Sequence, residues 1–283
     1  IKTLKRLNIG LSWFDRDGGD FITAMMRQVS ILTTEYIVYE AELSIITNLL
    51  ATNDATVEML KIFTYEDLTE LGKALETNTT LKSLTFLVPP GDSFAPIYDG
   101  LVHNTSLLKL SGYYEDGCAA SLSTLLRTNT MLEKLKLMVY MELKDPDRLV
   151  SILSQSKLIS LTIELNRDVD STDFITSLLQ ALTTNTTLER LRIRGGAPQF
   201  SAARVDGLIV QNLLVNNKTL TTFRLPNVIV TDFPNPDLLF ANETLTNVTI
   251  LPSIIPNTVA RRNRKNQTRR ESTLFDLTSR TMF

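Results

Sequence analysis

Residues 174–196 read FITSLLQALTTNTTLERLRIRGG, and this stretch contains the pattern that decides the fold. Its first half is apolar at helical spacing: the large apolar residues from Phe174 to Leu182 recur at i, i+1, i+4, i+5 and i+8. Side chains at this spacing share one face of a helix, and Ser171, Thr172 or Asp173 can act as the N-cap. The sequence therefore predicts an amphipathic helix that ends before Asn185.

After Asn185 the period of the apolar residues changes from 3.6, which is typical of a helix, to 2, which is typical of a strand. Leu191 and Ile193 alternate with arginines, so successive side chains of this segment point to opposite faces of a short strand. Leu188 precedes them and completes an LxxLxL pattern. Asparagine tolerates the left-handed backbone conformation that ends many helices, so we predict that Asn185 is a helix C-cap followed by a turn.

The same order of helix, turn and strand recurs along the chain. The first leucine of one unit follows that of the previous unit after 24 to 32 residues, at Leu4, Leu32, Val57, Leu81, Leu107, Leu132, Leu158, Leu188, Leu220 and Leu245. Six of these anchors have an asparagine three residues earlier: Asn78, Asn104, Asn129, Asn185, Asn217 and Asn242. A repeat of this length indicates a solenoid.

A single strand and helix of this size cannot bury their apolar faces alone, so neighbouring units must stack and share a core. The sequence predicts an α/β fold of about ten strand-helix units with a parallel sheet. Over residues 1 to about 250 the pattern resembles the leucine-rich repeats of the ribonuclease-inhibitor-like type. That resemblance implies a curved horseshoe with the parallel sheet on the concave face and the helices on the convex face.

Two further resemblances bear on function. The NTTL-type turn and the basic C-terminal segment are similar to the repeat domains of tropomodulins and to leucine-rich-repeat effectors secreted by intracellular bacteria. The first resemblance implies an actin-associated or other cytoskeletal partner, and the second implies a host protein as target. We favour the second.

The charge is uneven, which suggests how the chain is organised. The net charge is −2, yet the segment from Val259 onward carries seven basic and two acidic residues. A terminal repeat needs a polar-faced cap. We therefore predict a leucine-rich-repeat array over residues 1–257 and a basic C-terminal capping helix over 258–283. Three interpretations of the basic run at 261–270 stay open: the solvated face of that helix, a partner-binding segment, and a contact with nucleic acid or anionic lipid.

Several classes of protein are disfavoured by composition. The single cysteine, Cys118, excludes an intramolecular disulfide framework, and we predict that it is a small buried apolar residue in a reducing compartment. No apolar run is long enough for a membrane span. We expect a cytoplasmic protein, in the host cytoplasm if it is a secreted effector. The sequence starts at Ile1, inside the repeat pattern, which is compatible with a removed signal peptide or an upstream domain.

No residue is predicted to be catalytic, and no cofactor or metal is expected. His103 lies before a turn without a serine or cysteine at motif spacing, and one histidine with one cysteine excludes a zinc motif. Phosphate-binding glycine loops are absent from the sequence. Asp15–Asp20 departs from a calcium loop because Gly19 and Asp20 occupy the fifth and sixth positions and Met26 the twelfth. We therefore expect no enzyme.

The outward positions of the predicted strands are rich in basic residues. We predict a partner-binding band across the concave sheet that contains Lys109, Tyr113, Lys134, Lys136, Arg190, Arg192, Arg194 and Arg224. Arginine binds carboxylates and phosphates bidentately, and a tyrosine adds an amphipathic anchor. The expected function is a protein-protein interaction scaffold for an acidic partner surface. There are three alternatives: a solvated sheet face without a partner, a cytoskeletal repeat domain, and a domain that binds nucleic acid or anionic lipid.

Overall fold

The structure is a computed structural model that describes residues 7–10, 34–37, 43–53, 58–62, 67–87, 93–139, 143–165, 171–195, 203–231 and 242–251. Several predictions fall outside these residues. They are the capping helix at 258–283 with its basic run, the Asp15–Asp20 loop, and the anchors Leu4, Leu32 and Val57.

Strands and helices alternate, as the repeat predicts. The strands are β1 (Leu7–Gly10), β2 (Thr34–Ile37), β3 (Met59–Ile62), β4 (Ser83–Phe86), β5 (Lys109–Tyr114), β6 (Lys134–Val139), β7 (Ser160–Leu165), β8 (Arg190–Arg194), β9 (Ala203–Asp206), β10 (Thr222–Thr231) and β11 (Asn247–Leu251). The helices are α1 (Leu43–Thr52), α2 (Thr69–Thr77), α3 (Ala95–Leu101), α4 (Ala119–Thr128), α5 (Pro146–Ser154), α6 (Thr172–Ala181) and α7 (Gly207–Asn216). Short 3₁₀ turns lie at Asp116–Cys118 and Leu182–Thr184.

The chain divides into two compact units, Ile1–Leu161 and Thr162–Phe283. In the first unit, β3, β4, β5 and β6 pair in chain order, and every pair is parallel. β1 and β2 form a separate parallel pair. Each helix from α1 to α4 packs on the next one along the chain. The result is a layer of helices over one face of a parallel sheet, which is the architecture that the helix and strand periods predict.

The second unit is organised around β10. Its first residues pair in parallel with β8 on one side and with β11 on the other. Its last residues pair with β9, from Val228 opposite Ala203 to Thr231 opposite Asp206. Between the two pairings lie Pro226, which has no N–H to donate, and Asn227, which has a left-handed φ of 64°. The register shifts between Leu225 and Ile229, so this segment is a bulge inside a long strand.

The core contains the residues that the LxxLxL pattern predicts. The anchors from Leu81 to Leu245 are all buried, and Leu191 and Ile193 are fully buried. Along β8 the exposed and buried positions alternate, with Arg190 and Arg194 exposed. This alternation confirms that the leucines and isoleucines face the helices while the charged residues face the opposite side.

The asparagines before the anchors do more than end helices. Asn104 donates from Nδ2 to the main-chain oxygens of Leu75 and Asn78, at 2.6 and 2.9 Å. Its Oδ1 accepts from the N–H groups of Ser106 and Leu107. Each asparagine in this role therefore bonds its own turn to the preceding unit. Equivalent bonds are made by Asn129, Asn217 and Asn242.

Asn78, Asn129 and Asn217 are helix C-caps, as predicted, but the expectation of a left-handed backbone there is wrong. Asn78, Asn129 and Asn217 have φ between −74° and −72° and ψ between 122° and 130°, which is extended backbone. Extended backbone turns the side chain inward, where it satisfies carbonyl groups at the helix end that have no partner within their own helix. We call this set of buried amides, Asn78, Asn104, Asn129, Asn217 and Asn242, the asparagine ladder.

Candidate binding surface

The face of each sheet that is not covered by helices contains most of the residues predicted to bind a partner. In the first unit, strand register brings Lys109 directly beside Lys134, and Ser111 beside Lys136. Lys109 is exposed, and Lys134 and Lys136 are half-buried. We call these three lysines the lysine cluster. Lys109 and Lys134 are like charges on adjacent strands, and such pairs repel each other unless an anion lies close by.

Tyr113 does not belong to this accessible face. Its side chain is only 4% exposed, and its ring lies 6.2 Å from the ring of Phe94, the residue before α3. Its main-chain oxygen accepts a hydrogen bond from the Tyr98 hydroxyl at 2.6 Å. The prediction that Tyr113 is an accessible anchor is therefore wrong. Strand alternation predicts on which side of the sheet each side chain lies. It does not predict that Phe94, in the connection between β4 and α3, covers the side chain of Tyr113.

The second unit contains four arginines on its uncovered face: Arg190, Arg192 and Arg194 on β8 and Arg224 on β10. We call them the arginine cluster. Register places Arg224 directly beside Arg192, and Thr222 beside Arg190. Arg190 and Arg194 are exposed, whereas Arg192 and Arg224 are half-buried. Strand β8 therefore presents three guanidinium groups on one side, and β10 adds a fourth next to the central one.

Acidic residues lie near the two exposed arginines. Arg190 is 4.0 Å from a carboxylate oxygen of Glu189, and Arg194 is 3.7 Å from one of Glu164. The side chains of both arginines remain about half exposed, at 50% and 49%. Solvent-exposed pairs at these distances are weak, so both arginines can exchange their carboxylate for another anion.

The central pair differs from its neighbours. The Nε atoms of Arg192 and Arg224 are both buried, and neither has a hydrogen-bond partner among the residues that the structure describes. A buried donor without an acceptor costs free energy, and buried charged donors cost the most. Because both Nε atoms are buried, an acceptor from another molecule can reach neither of them unless the surrounding side chains move. The pairing itself follows from the repeat, because Arg192 precedes Ile193 as Arg224 precedes Leu225. The burial of the two Nε atoms has no sequence signal.

Two other side chains with reactive groups, His103 and Cys118, lie in turns and not on strands. His103 is exposed just after α3. Cys118 is fully buried, as predicted, and burial raises the pKa of its thiol to about 12. Within the described ranges, the structure contains no group of three or more His, Cys, Asp or Glu side chains that could hold a metal ion.

The described structure and the comparisons with known proteins narrow the class of protein only to its architecture. In the part that the structure describes, no helix has the length and apolar composition needed to cross a membrane. The architecture is a parallel α/β repeat-like fold of alternating strand-helix units. No protein-family model matches this sequence, and no curated protein does.

Proposed function

We propose that this chain is a leucine-rich-repeat array of the ribonuclease-inhibitor-like type whose helix-free sheet face is concave. Alternating strands and helices, parallel pairing and the buried anchor leucines support this proposal. Asn104, Asn129 and Asn217 also repeat the same bond to the unit before their own, as expected where similar repeats stack in register.

We propose that the array is a protein-protein interaction scaffold without catalysis of its own. Its partner is a protein with an acidic surface. The lysine cluster in the first unit and the arginine cluster in the second unit are each, taken separately, a candidate contact surface. The observation that carries this proposal is the in-register placement of Arg224 beside Arg192 on a sheet face that no helix covers, with the exposed Arg190 and Arg194 on the same side of β8. Like charges held side by side attract an anion, and complementary charge accelerates association and selects partners.

The likeness to secreted effectors bears on the choice of partner. If this chain acts inside a host cell, the acidic partner is a host protein, and a host cytoplasmic location follows. An actin-associated partner would satisfy the same charge requirement. The arginine cluster does not distinguish between them, so the test below identifies the partner directly.

The experiment compares two charge-reversal variants with the wild type as immobilised baits in a cell lysate, with and without nuclease treatment. The test variant is Arg190→Glu, Arg192→Glu and Arg224→Glu. The control is Lys144→Glu, Lys157→Glu and Lys218→Glu, which makes the same change in net charge at exposed positions in connections between elements. Far-ultraviolet circular dichroism and thermal unfolding confirm that both variants fold.

We expect the control to capture the same dominant partner as the wild type and the test variant to lose it. Equal capture by all three baits would disprove the role of the arginine cluster. Capture that disappears after nuclease treatment, in the wild type as well, would instead indicate a nucleic-acid ligand, whose affinity falls steeply with salt.

A further inference from the structure

We infer that the chain forms a weak two-fold symmetric dimer, in which the outer face of α7 packs antiparallel on the same face of a second copy. The inference goes beyond the proposed function, because it concerns the helix layer of the second unit and not the helix-free face of the sheet. The order of residues along α7 and the charges at its two ends carry it.

Helix α7 is apolar on two sides. Its ten residues, GLIVQNLLVN, include no charged side chain. Leu213 and Leu214 are buried, as the repeat requires. On the opposite side, Leu208 is 47% exposed, and Ile209 and Val215 are half-buried. A surface helix normally presents a polar or charged face to solvent, and a helix that is apolar all round is normally covered on both sides.

Other helices of the chain have charged outer faces. The exposed positions of α2 include Glu70, Lys73 and Glu76, and those of α5 include Asp147 and Arg148. Among the helical side chains whose burial the structure describes, Leu208 is the one large apolar residue that is exposed. The outer face of α7 therefore lacks the charges with which α2 and α5 face water.

The order of residues along this face makes it complementary to itself. A two-fold axis beside Asn212, perpendicular to the helix, places each residue opposite the one equally far beyond Asn212 in the second copy. Ile209 then faces Val215 of the second copy, and apolar surface is buried on apolar surface. Asn212 is exposed and faces Asn212 of the second copy. An amide has both a donor and an acceptor, so these two side chains can bond each other.

Leu208 lies opposite Asn216 in this arrangement. The Nδ2 of Asn216 already donates to the main-chain oxygen of Asn212 in its own helix, at 2.9 Å. The contact with Leu208 therefore covers an amide whose hydrogen bonding is partly satisfied within its own helix.

The charges at the helix ends favour the antiparallel arrangement. Asp206 is the N-cap of α7, and its Oδ1 accepts from the N–H of Leu208 at 2.8 Å. Lys218 follows the last turn, and its Nζ donates to the main-chain oxygen of Val215 at 2.6 Å. Both residues are exposed, and they lie six residues before and six residues after Asn212. Antiparallel packing brings Asp206 of each copy to the helix end where Lys218 of the other copy lies.

The contact is small, so the dimer is weak. Helix α7 is about 15 Å long. It packs on α6, whose neighbouring outer residues Thr176, Ser177 and Gln180 are also uncharged. A contact of this length is smaller than the interfaces of about 1,600 Å² in stable complexes, and we expect a dissociation constant in the micromolar range. The helices lie on the opposite side of the sheet from the arginine cluster, so the dimer leaves that cluster accessible.

The capture control distinguishes the dimer from the proposed function. Lys144→Glu, Lys157→Glu and Lys218→Glu together place a glutamate opposite Asp206 of the second copy. We expect this variant to dimerise more weakly than the wild type and still to capture the acidic partner. Dimerisation as strong as that of the wild type would contradict the antiparallel arrangement.

Cysteine cross-linking tests the position of the symmetry axis. Asn212→Cys places a thiol opposite its own copy, so oxidation with diamide should produce a disulfide-linked dimer on a non-reducing gel. The buried Cys118 thiol, with its pKa of about 12, does not compete. The control is Asn48→Cys, because Asn48 is an exposed asparagine on α1 in the first unit. Equal cross-linking of the two variants would mean that random collisions join the thiols, and would contradict the axis.

The deciding experiment is sedimentation velocity of the full chain between about 1 and 300 µM, a range that brackets a micromolar dissociation constant. We expect the wild type and Asn48→Lys to dimerise alike. Asn212→Lys and Asn212→Glu each place two like charges at the axis, so each alone should dimerise at least about tenfold more weakly. An equimolar mixture of these two variants should dimerise again, because opposite charges then meet. A wild type that stays monomeric, or a mixture that associates no better than either variant alone, would overturn the inference.

Discussion

The side chain of Asn104 donates a hydrogen bond to the main-chain oxygen of Asn78, 2.9 Å away in the preceding unit. Asn129 makes the same bond to Asn104 at 2.8 Å. Each of these two asparagines thus ties its own turn to the turn before it. The side-chain amides of all five ladder residues are buried. Each of their hydrogen bonds therefore satisfies a main-chain carbonyl group that water does not solvate.

Replacing a ladder residue should be costly. Asn104→Ala leaves two main-chain oxygens and two N–H groups without their partner, and we expect a loss of about 3 kcal/mol in the free energy of unfolding. The matched control is Gln155→Ala. Gln155 lies three residues before an anchor, but it is exposed and its Nε2 donates to Ser151 in its own helix. Urea denaturation of both variants measures the difference, and equal losses would refute the ladder.

The ladder also determines which N-glycosylation sequons a folded chain can use. The sequons at Asn78, Asn104, Asn217 and Asn242 have buried Nδ2 atoms that donate to carbonyl groups. A glycan on Nδ2 removes one of these donors and needs space that the packed units do not leave. When the chain is expressed through a eukaryotic secretory pathway, we expect no glycan at these four positions in the soluble fraction. Peptide mapping by mass spectrometry tests this, and occupied sites in folded protein would contradict it.

The close contact between α2 and α3 depends on glycine. A methyl group at Gly72 would overlap the main-chain carbonyl of Pro96, and one at Gly100 would overlap that of Gly72. Because the obstacle is backbone, Gly72→Ala should force the helices apart and destabilise the protein by about 1 to 3 kcal/mol. Gly117→Ala is the control, because no atom lies within 4 Å of its added methyl group. Thermal unfolding should show a lower Tm for the Gly72 variant alone.

The core role of the repeat leucines is testable at one strand. Leu191 is fully buried, so Leu191→Ala should leave a cavity and lower the free energy of unfolding by about 2 to 5 kcal/mol. Leu208 lies on the first turn of α7 and is 47% exposed, so the same change there should have a far smaller effect. Chemical denaturation of the two variants provides the comparison. A small loss at Leu191 would show that the side chain is not part of the core.

Cys118 should be unreactive in the folded protein. Burial raises the pKa of its thiol to about 12, so almost no thiolate forms at pH 8, and thiolate is the reactive species. The folded state favours the neutral form of the Cys118 thiol, which stabilises the fold. This stabilisation is complete below the pKa of about 8.5 that the thiol has in the unfolded chain, and it is lost as the pH rises toward 12. Titration with a thiol reagent at pH 8 should be slow in buffer and rapid in denaturing urea. Rapid reaction in buffer would mean that the thiol is accessible.

Much of the fold follows from local pattern. The change of period from 3.6 to 2 predicts where α6 ends and β8 begins, because each period fixes which side chains share a face. The placement of Arg190, Arg192 and Arg194 on the uncovered side of β8 follows from the same alternation. The pairing of Arg192 with Arg224 is also contained in the repeat, since corresponding residues of stacked units become neighbours.

Three features required the tertiary structure. A local pattern does not predict the buried bonds of the asparagines, because their main-chain partners lie 25 to 35 residues earlier in the chain. Tyr113 occupies an outward position, yet Phe94 from another connection lies beside it. Strand β10 pairs first with β8 and then with β9. The spacing of residues along one segment does not predict which other strand that segment pairs with.

The sequence by itself determined the alternation of elements, the core leucines and the side of each strand on which charge is found, because these depend on spacing along one chain segment. Only the tertiary structure decided which polar groups are buried and which have a partner, because desolvation is produced by neighbours that are distant in sequence. The arginine cluster illustrates the division. Its four positions can be predicted from spacing, whereas the buried, acceptor-free Nε atoms of Arg192 and Arg224 are a property of the packed sheet.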